Sequence, residues 1–200
     1  DGMFINTTGI GQLLPGVKLG ADRVRPGDRV LVSGRIAEHG LTILSQRRGL
    51  RFASPLTSDV ASLAVLALPM LERFGAAVRW MRDPTRGGLA NCAVELAEAA
   101  HVAIELDESA LPISAAALHA AEMLGIDPLT VANEGKFVAV VSADQADAAA
   151  AFCRAHALGR HAAVVGVVTD GEPGLVELKT RTGGRRIVQR PYGEELPRIC

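Results

Sequence analysis

Val78-Arg79-Trp80-Met81-Arg82-Asp83-Pro84-Thr85-Arg86-Gly87-Gly88-Leu89 reads as a strand, a tight loop and the opening of a helix. Pro84 lacks an N–H and fixes its own φ, so it ends the strand at Val78–Arg82, and Thr85 can cap a helix that begins near Gly87. Downstream, Leu89, Cys92, Ala93, Leu96 and Ala100 recur at helical spacing while Asn91, Glu95 and Glu98 fall on the other side. Val102–Leu106 then returns to strand character, so the unit is strand, loop, helix, strand.

The same alternation runs along the chain. Strands are expected at Phe4–Thr8, Arg29–Ser33, Phe137–Val141, Ala163–Val168 and Val176–Leu178. Helices are expected over Ala37–Arg48, Leu63–Phe74, Ser114–Leu124 and Gln145–His156, with Gly75 closing the second of these. Apolar runs alternating with helical stripes give a layered α/β (α+β) domain. After Gly171 the pattern loosens, and residues 181–200 read as a flexible tail rich in Gly, Pro and Arg.

Of the 200 residues, 48% are hydrophobic and 22% charged, enough apolar material for a sizeable core. Acidic and basic residues nearly cancel, 22 against 21, and aromatic residues are 4%, which argues against a nucleic-acid partner. The longest apolar stretch, Leu63 to Leu71, is far short of the ~20 residues that span a bilayer, so no membrane role and a cytoplasmic location are expected. Cys92, Cys153 and Cys200 are too widely spaced for a zinc knuckle or a disulfide framework. The five histidines show no ligand spacing, so no metal site is expected from this chain, and His39 reads as a cap or surface residue.

Three places could carry chemistry. The loop Asp83-Pro84-Thr85-Arg86-Gly87-Gly88 can bind an anion through open glycine amides, the helix dipole and Arg86, or can simply be a well-capped turn. Asn133-Glu134-Gly135-Lys136 sits where an apolar run meets the strand at Phe137, so Glu134 can point a carboxylate into a cleft or lie in a surface turn. Leu196-Pro197-Arg198-Ile199-Cys200 puts a thiol on the final residue; this is either a frayed end or a thiol on a swinging arm, while Cys92 and Cys153 fall on helix faces as inert buried thiols. The basic run Arg181 to Arg190 is a solvated loop or a docking surface for an acidic partner.

Phe4-Ile5-Asn6-Thr7-Thr8-Gly9-Ile10-Gly11, Arg25-Pro26-Gly27-Asp28, Arg82-Asp83-Pro84-Thr85-Arg86-Gly87-Gly88-Leu89, Val131-Ala132-Asn133-Glu134-Gly135-Lys136 and Pro197-Arg198-Ile199-Cys200 occur together and in this order. In these motifs the chain resembles the hydrogenase maturation factor HypE family, of the aminoimidazole ribonucleotide (AIR) synthetase, or PurM-like, superfamily. The loop alone leaves sister families open; the terminal Pro-Arg-Ile-Cys singles out HypE. The resemblance implies a PurM C-terminal-like domain over residues 21–180, a mixed sheet with helices packed on it. Residues 1–20 would be a remnant of an N-terminal ATP-binding domain, and residues 181–200 a tail that ends in the carrier cysteine.

The chemistry implied is ATP-dependent dehydration of an S-carbamoyl group on Cys200 to a thiocyanate, which supplies cyanide to the iron of [NiFe]-hydrogenase. Cys200 and Glu134 would be catalytic, with Asp83, Thr85, Arg86, Gly87 and Gly88 near phosphate. ATP and Mg would be held mainly by the family's N-terminal domain, which also carries a lysine near the carboxylate whose expected place lies just before Asp1. Implied partners are the carbamoyltransferase HypF, the HypC–HypD complex and a second copy in a homodimer; this chain alone would be inactive. Two rival readings are a carrier module that presents Cys200 without catalysis, and a purine-biosynthetic or selenophosphate synthetase relative.

Overall fold

Val138-Ala139-Val140-Val141 are buried at every position, which an alternating one-sided strand could not be. They form the strand β4 near the middle of a sheet whose two faces are both covered. The structure, a computed structural model, describes residues 2–3, 6, 8–12, 14–50 and 56–191. In chain order the elements are β1 (Arg29–Val32), α1 (Glu38–Arg47), α2 (Ala64–Phe74), β2 (Val78–Arg82), α3 (Gly88–Ala100), β3 (Ala103–Asp107), α4 (Ala115–Leu124), β4 (Val138–Val141), α5 (Ala146–Arg154), β5 (Ala163–Thr169), β6 (Val176–Lys179) and β7 (Arg185–Ile187).

Among the described residues the strands form one mixed sheet in the order β2-β4-β1-β5-β3-β6-β7. The β3–β6 pair is parallel and the other pairs are antiparallel. Side chains alternate across it: Val30, Val32, Val138 and Val140 pack with Leu89, Ala93 and Leu96 of α3, whereas Leu31, Ala139 and Val141 pack with Leu66 and Met70 of α2 and Ala149 and Cys153 of α5. The α3 stripe read from the sequence is thus the face laid on the sheet. A third cluster joins Leu41 of α1 to Ala117, Ala120 and Ala121 of α4 over Val131. Cys92 and Cys153 are both buried.

Three expectations are corrected. Asn6 and Thr8 lie in no strand, while Phe4, Ile5 and Thr7 are outside the described residues. Ala37 precedes α1 instead of opening it, at φ 72. The stretch after residue 180, read as tail, adds a seventh strand: β7 pairs with β6, and Val188 is buried with its N–H on the Val176 carbonyl at 2.8 Å. The arginines there meet carboxylates of the same chain. Arg186 lies 2.6 Å from Asp127, Arg185 pairs with Glu105 and Glu177, and Arg190 pairs with Glu98. Each such exposed pair contributes little, but the buried Val188 gives the segment a fixed path. Charge and glycine content concealed a strand whose own side chains are all exposed.

Candidate functional site

Register places Arg82 at the end of β2 beside Val138 at the start of β4, so the loop after one strand and the segment before the other meet at one edge. Asn133 joins them. Its backbone N–H and its side-chain Nδ2 both donate to the Pro84 carbonyl at 3.1 Å, Nδ2 also donates to the Val131 carbonyl at 2.9 Å, and Oδ1 accepts the Ala37 N–H at 2.8 Å. Asn133 is fully buried, and the loop, the start of α1 and the 131–136 segment are held by its one side chain.

Within the loop, Gly87 and Gly88 both take left-handed backbone conformations, φ 76 and 61. The Gly88 N–H donates to the Thr85 carbonyl at 3.0 Å, so the turn closes through the backbone. Thr85 therefore does not cap α3 with its side chain, against expectation, and the Gly88 amide is not open to an anion. Gly88 serves close approach instead: a Cβ there would stand 2.4 Å from the Leu129 carbonyl oxygen and 2.5 Å from that of Val131. Arg86 and Asp83 are exposed. Although exposed by area, the Asp83 carboxyl is pushed above the ordinary carboxylate value by loss of water around it, with Arg82 opposing. Arg82 itself pairs with Glu95, which accepts from Asn91 at 3.1 Å.

On the other side of Asn133, Glu134 has its Oε1 atom buried without a hydrogen-bond partner. Gly135 lets the chain at Asp59 pass so close that a Cβ would fall 1.7 Å from the Asp59 carbonyl oxygen. Lys136 turns inward, its Nζ 2.8 Å from Asp59 Oδ2 and donating to the Gly135 carbonyl at 2.9 Å; the Lys136 and Asp59 side chains are each 9% exposed. The pair is an ion pair by distance, but neither Asp59 oxygen has an aligned hydrogen bond.

His39 completes the corner. It is 5% exposed in the first turn of α1, with Nδ1 2.8 Å from Ser58 Oγ and Nε2 buried without a partner. The surface or cap role expected for it is corrected. Gly40 seats that turn against the 131–136 segment, its N–H on the Ala132 carbonyl at 3.1 Å. His39, Ser58, Asp59 and Lys136 escaped the sequence reading. For His39 the glycine that follows it, needed for close packing, is a usable signal; Ser58 and Asp59 carry none.

The structure thus gathers Asp83, Thr85, Arg86, Gly87, Gly88 and Glu134 at one edge. Cys200 lies outside the described residues, but the chain leading to it does not: Pro191 packs on Gly87, where an added Cβ would sit 3.3 Å from the proline ring. Among the described residues no three His, Cys, Asp or Glu side chains are grouped to hold a metal ion.

Residues 25–179 match the family model for AIR synthase related protein, C-terminal domain. The chain belongs to that family. Within this AIR synthase related group its similarity is to HypE over the whole length. It is 47% identical across all 200 residues to the carbamoyl dehydratase HypE of Azotobacter vinelandii, and spans 58% of that relative. It also superimposes, at 40% identity, on a hydrogenase maturation protein HypE in complex with ATP (TM-score 0.86, covering 91% of this chain and 55% of that one). The HypE of a HypE–HypF complex superimposes with TM-score 0.85, covering 90% of this chain and 58% of that one. The expected PurM-like C-terminal fold, with its mixed sheet and covering helices, is the one observed. No helix among the described residues is long and apolar enough to cross a membrane.

Proposed function

We propose that this chain is the part of a HypE-type carbamoyl dehydratase that contributes the base and the carrier thiol. The supporting observation is Glu134, whose Oε1 atom is buried and unpaired beside the loop on which the chain toward Cys200 is seated. Nine Cα-to-Cα steps lead from Pro191 to Cys200, a reach of at most ~32 Å when extended, so the thiol can visit both a partner and this corner.

In this reading HypF loads a carbamoyl group on Cys200. The carbamoyl oxygen then attacks the γ-phosphorus of ATP as one N–H proton leaves, giving an S-bound iminol phosphate and ADP. Loss of the second N–H proton forms the C≡N bond as the C–O bond breaks and phosphate departs. Glu134 takes a proton from a poorly acidic nitrogen, the step in which a positioned base is worth most. Asp83, Thr85, Arg86, Gly87 and Gly88 lie on the phosphate side, with Arg86 the group suited to contact it. The thiocyanate passes its cyanide to iron on HypC–HypD. The full-length protein works as a homodimer in the cytoplasm, and this chain alone is inactive because ATP and Mg²⁺ depend mainly on the remainder of the enzyme.

The test is Glu134→Gln in full-length protein incubated with HypF, carbamoyl phosphate and ATP. A neutral amide keeps the shape and loses the basicity, so Cys200 should carry carbamoyl normally while conversion to thiocyanate slows by ~10²–10⁴. Mass spectrometry of the C-terminal peptide reads both species. Conversion at the wild-type rate would remove Glu134 from the mechanism.

A further inference from the structure

Buried polar atoms are nearly always paired, so those that are not point to something that completes them. Among the described residues five buried side-chain atoms make no hydrogen bond, and four of them, His39 Nε2, both Asp59 oxygens and Glu134 Oε1, lie in the corner built around Gly135; Asp59 Oδ2 is met by the Lys136 ammonium at 2.8 Å, and the other three have no partner. Three are acceptors. The fourth depends on the tautomer of His39, and Ser58 bears on that.

Ser58 Oγ accepts the Val60 N–H at 3.3 Å and lies 2.8 Å from His39 Nδ1. A serine hydroxyl has one hydrogen to give. The Val60 N–H takes one of its two lone pairs, and its single hydrogen finds a protein acceptor when Ser58 donates to Nδ1, the arrangement that leaves the ring proton on Nε2. Beside the Lys136–Asp59 pair, the corner then presents an unpartnered buried N–H donor, His39 Nε2–H, and an unpartnered buried carboxylate oxygen, Glu134 Oε1. That is the complement of a primary carboxamide, which offers one C=O acceptor and N–H donors on the same carbon.

We propose that His39, held in the Nε2–H tautomer by Ser58, is a substrate-positioning residue that donates a hydrogen bond to the carbamoyl oxygen while Glu134 receives the amide N–H. This rests on the reading of Glu134 as the base for a carbamoyl group. The bond occupies one lone pair of the oxygen and leaves the other for the γ-phosphorus. When the C–O bond breaks, the same N–H faces the oxygen that gains charge and departs with phosphate, where a fixed donor acts most strongly. Gly40 against Ala132 and Gly135 against Asp59 set the ring and the carboxylate on one rigid frame.

Two measurements on the full-length protein test it. With ¹⁵N-histidine, long-range ¹H–¹⁵N correlation should show His39 as the Nε2–H tautomer in the wild type and lose that preference in Ser58→Ala; a wild-type ring protonated on Nδ1 instead overturns the proposal. Kinetically, His39→Leu should load carbamoyl on its terminal cysteine normally and form thiocyanate ~10²-fold more slowly, the usual cost of one lost donor. His39→Gln places an amide N–H near the Nε2 position and should recover at least about tenfold of that loss. Equal, unimpaired rates in both variants overturn the proposal, as does a Gln variant no faster than a folded Leu variant; should the Leu variant not fold, the tautomer and the Gln variant's retained rate decide. A wild-type enzyme that converts no carbamoyl sinks the underlying reading, an outcome distinct from normal conversion in His39→Leu.

Discussion

Asn133 Oδ1 accepts the backbone N–H of Ala37 at 2.8 Å across 96 positions of sequence, and Ala37 is held there with a left-handed φ of 72. A non-glycine residue in that region is strained by ~1–2 kcal/mol, and a fully buried amide side chain is what keeps it in place. Asn133→Ala takes the acceptor from the buried Ala37 N–H, the Nδ2 donor from the Val131 carbonyl and one of two donors from the Pro84 carbonyl, which keeps the backbone N–H of residue 133, so a loss of about 3 kcal/mol is expected. Asn133→Asp should be no better: it keeps the acceptor for Ala37 but turns its other carboxylate oxygen toward the Pro84 and Val131 carbonyls. Urea unfolding of the three proteins reads this, and an Asp variant as stable as wild type would contradict it.

Glycines in this fold divide by what surrounds them. Gly183 has φ +87 with nothing within 4 Å of an added Cβ, so Gly183→Ala should cost only the conformational strain, ~1–2 kcal/mol. Gly135 is not left-handed, yet its Cβ would overlap the Asp59 carbonyl oxygen at 1.7 Å. Gly135→Ala must displace backbone, and should cost ~3 kcal/mol or more and separate Lys136 from Asp59. Thermal melts rank the two, and the reverse order would show that segment 58–61 yields freely.

Most of the layered fold was legible because it rests on periodicity. The valines of β1 and β4 and the α3 stripe announce their faces, and six strands and five helices fall within a few residues of expectation. Strand β7 was illegible because its side chains face water and its pairing depends on β6. In the site, Glu134 and the Asp83–Gly88 loop stood out by residue type and position at element ends. The role of Thr85 was misjudged, since two left-handed glycines closed the turn first. His39, Ser58 and Asp59 come from distant segments that only packing brings together, and no local spacing encodes that.

Asp28, in the Arg25-Pro26-Gly27-Asp28 turn, is 5% exposed and accepts the Arg25 N–H at 2.8 Å. Burial raises its carboxyl above the ordinary value, and the Arg25 backbone bond, Arg79, and the Arg25 and Arg29 charges only partly offset this. The folded protein therefore holds this proton to higher pH than the unfolded chain. The resulting stability is present below the unfolded value, ~3.9, and is lost as pH rises through the raised folded value. Asp28→Asn keeps an acceptor for Arg25 and does not titrate, so its stability relative to wild type should improve from pH 4 to pH 7, by ~1.4 kcal/mol for every tenfold by which the folded carboxylate binds its proton more tightly than the unfolded one. Urea midpoints at the two pH values measure the difference, and a wild type that gains on the variant as pH rises would show that folding loosens this proton instead.

Thiol chemistry separates the three cysteines. Cys92 lies on the sheet-facing side of α3, 3% exposed, and burial pushes its thiol up to about 12, Arg82 opposing. Cys153 of α5 is fully buried with Sγ 3.7 Å from Met70 Sδ, and burial pushes it up to about 11. Because the thiolate is the nucleophile, a thiol at about 11 is ionised at pH 7.5 in only about one molecule in three thousand, against about one in ten for a free thiol near 8.5. Burial removes access as well. Brief iodoacetamide treatment of the native protein at pH 7.5 should therefore label Cys200 and spare Cys92 and Cys153, with all three labelled in urea. Peptide mass spectrometry assigns the sites. Native labelling of Cys92 or Cys153 at the rate of Cys200 would mean that either helix opens readily, and would leave the terminal thiol without the chemical isolation that a carrier requires.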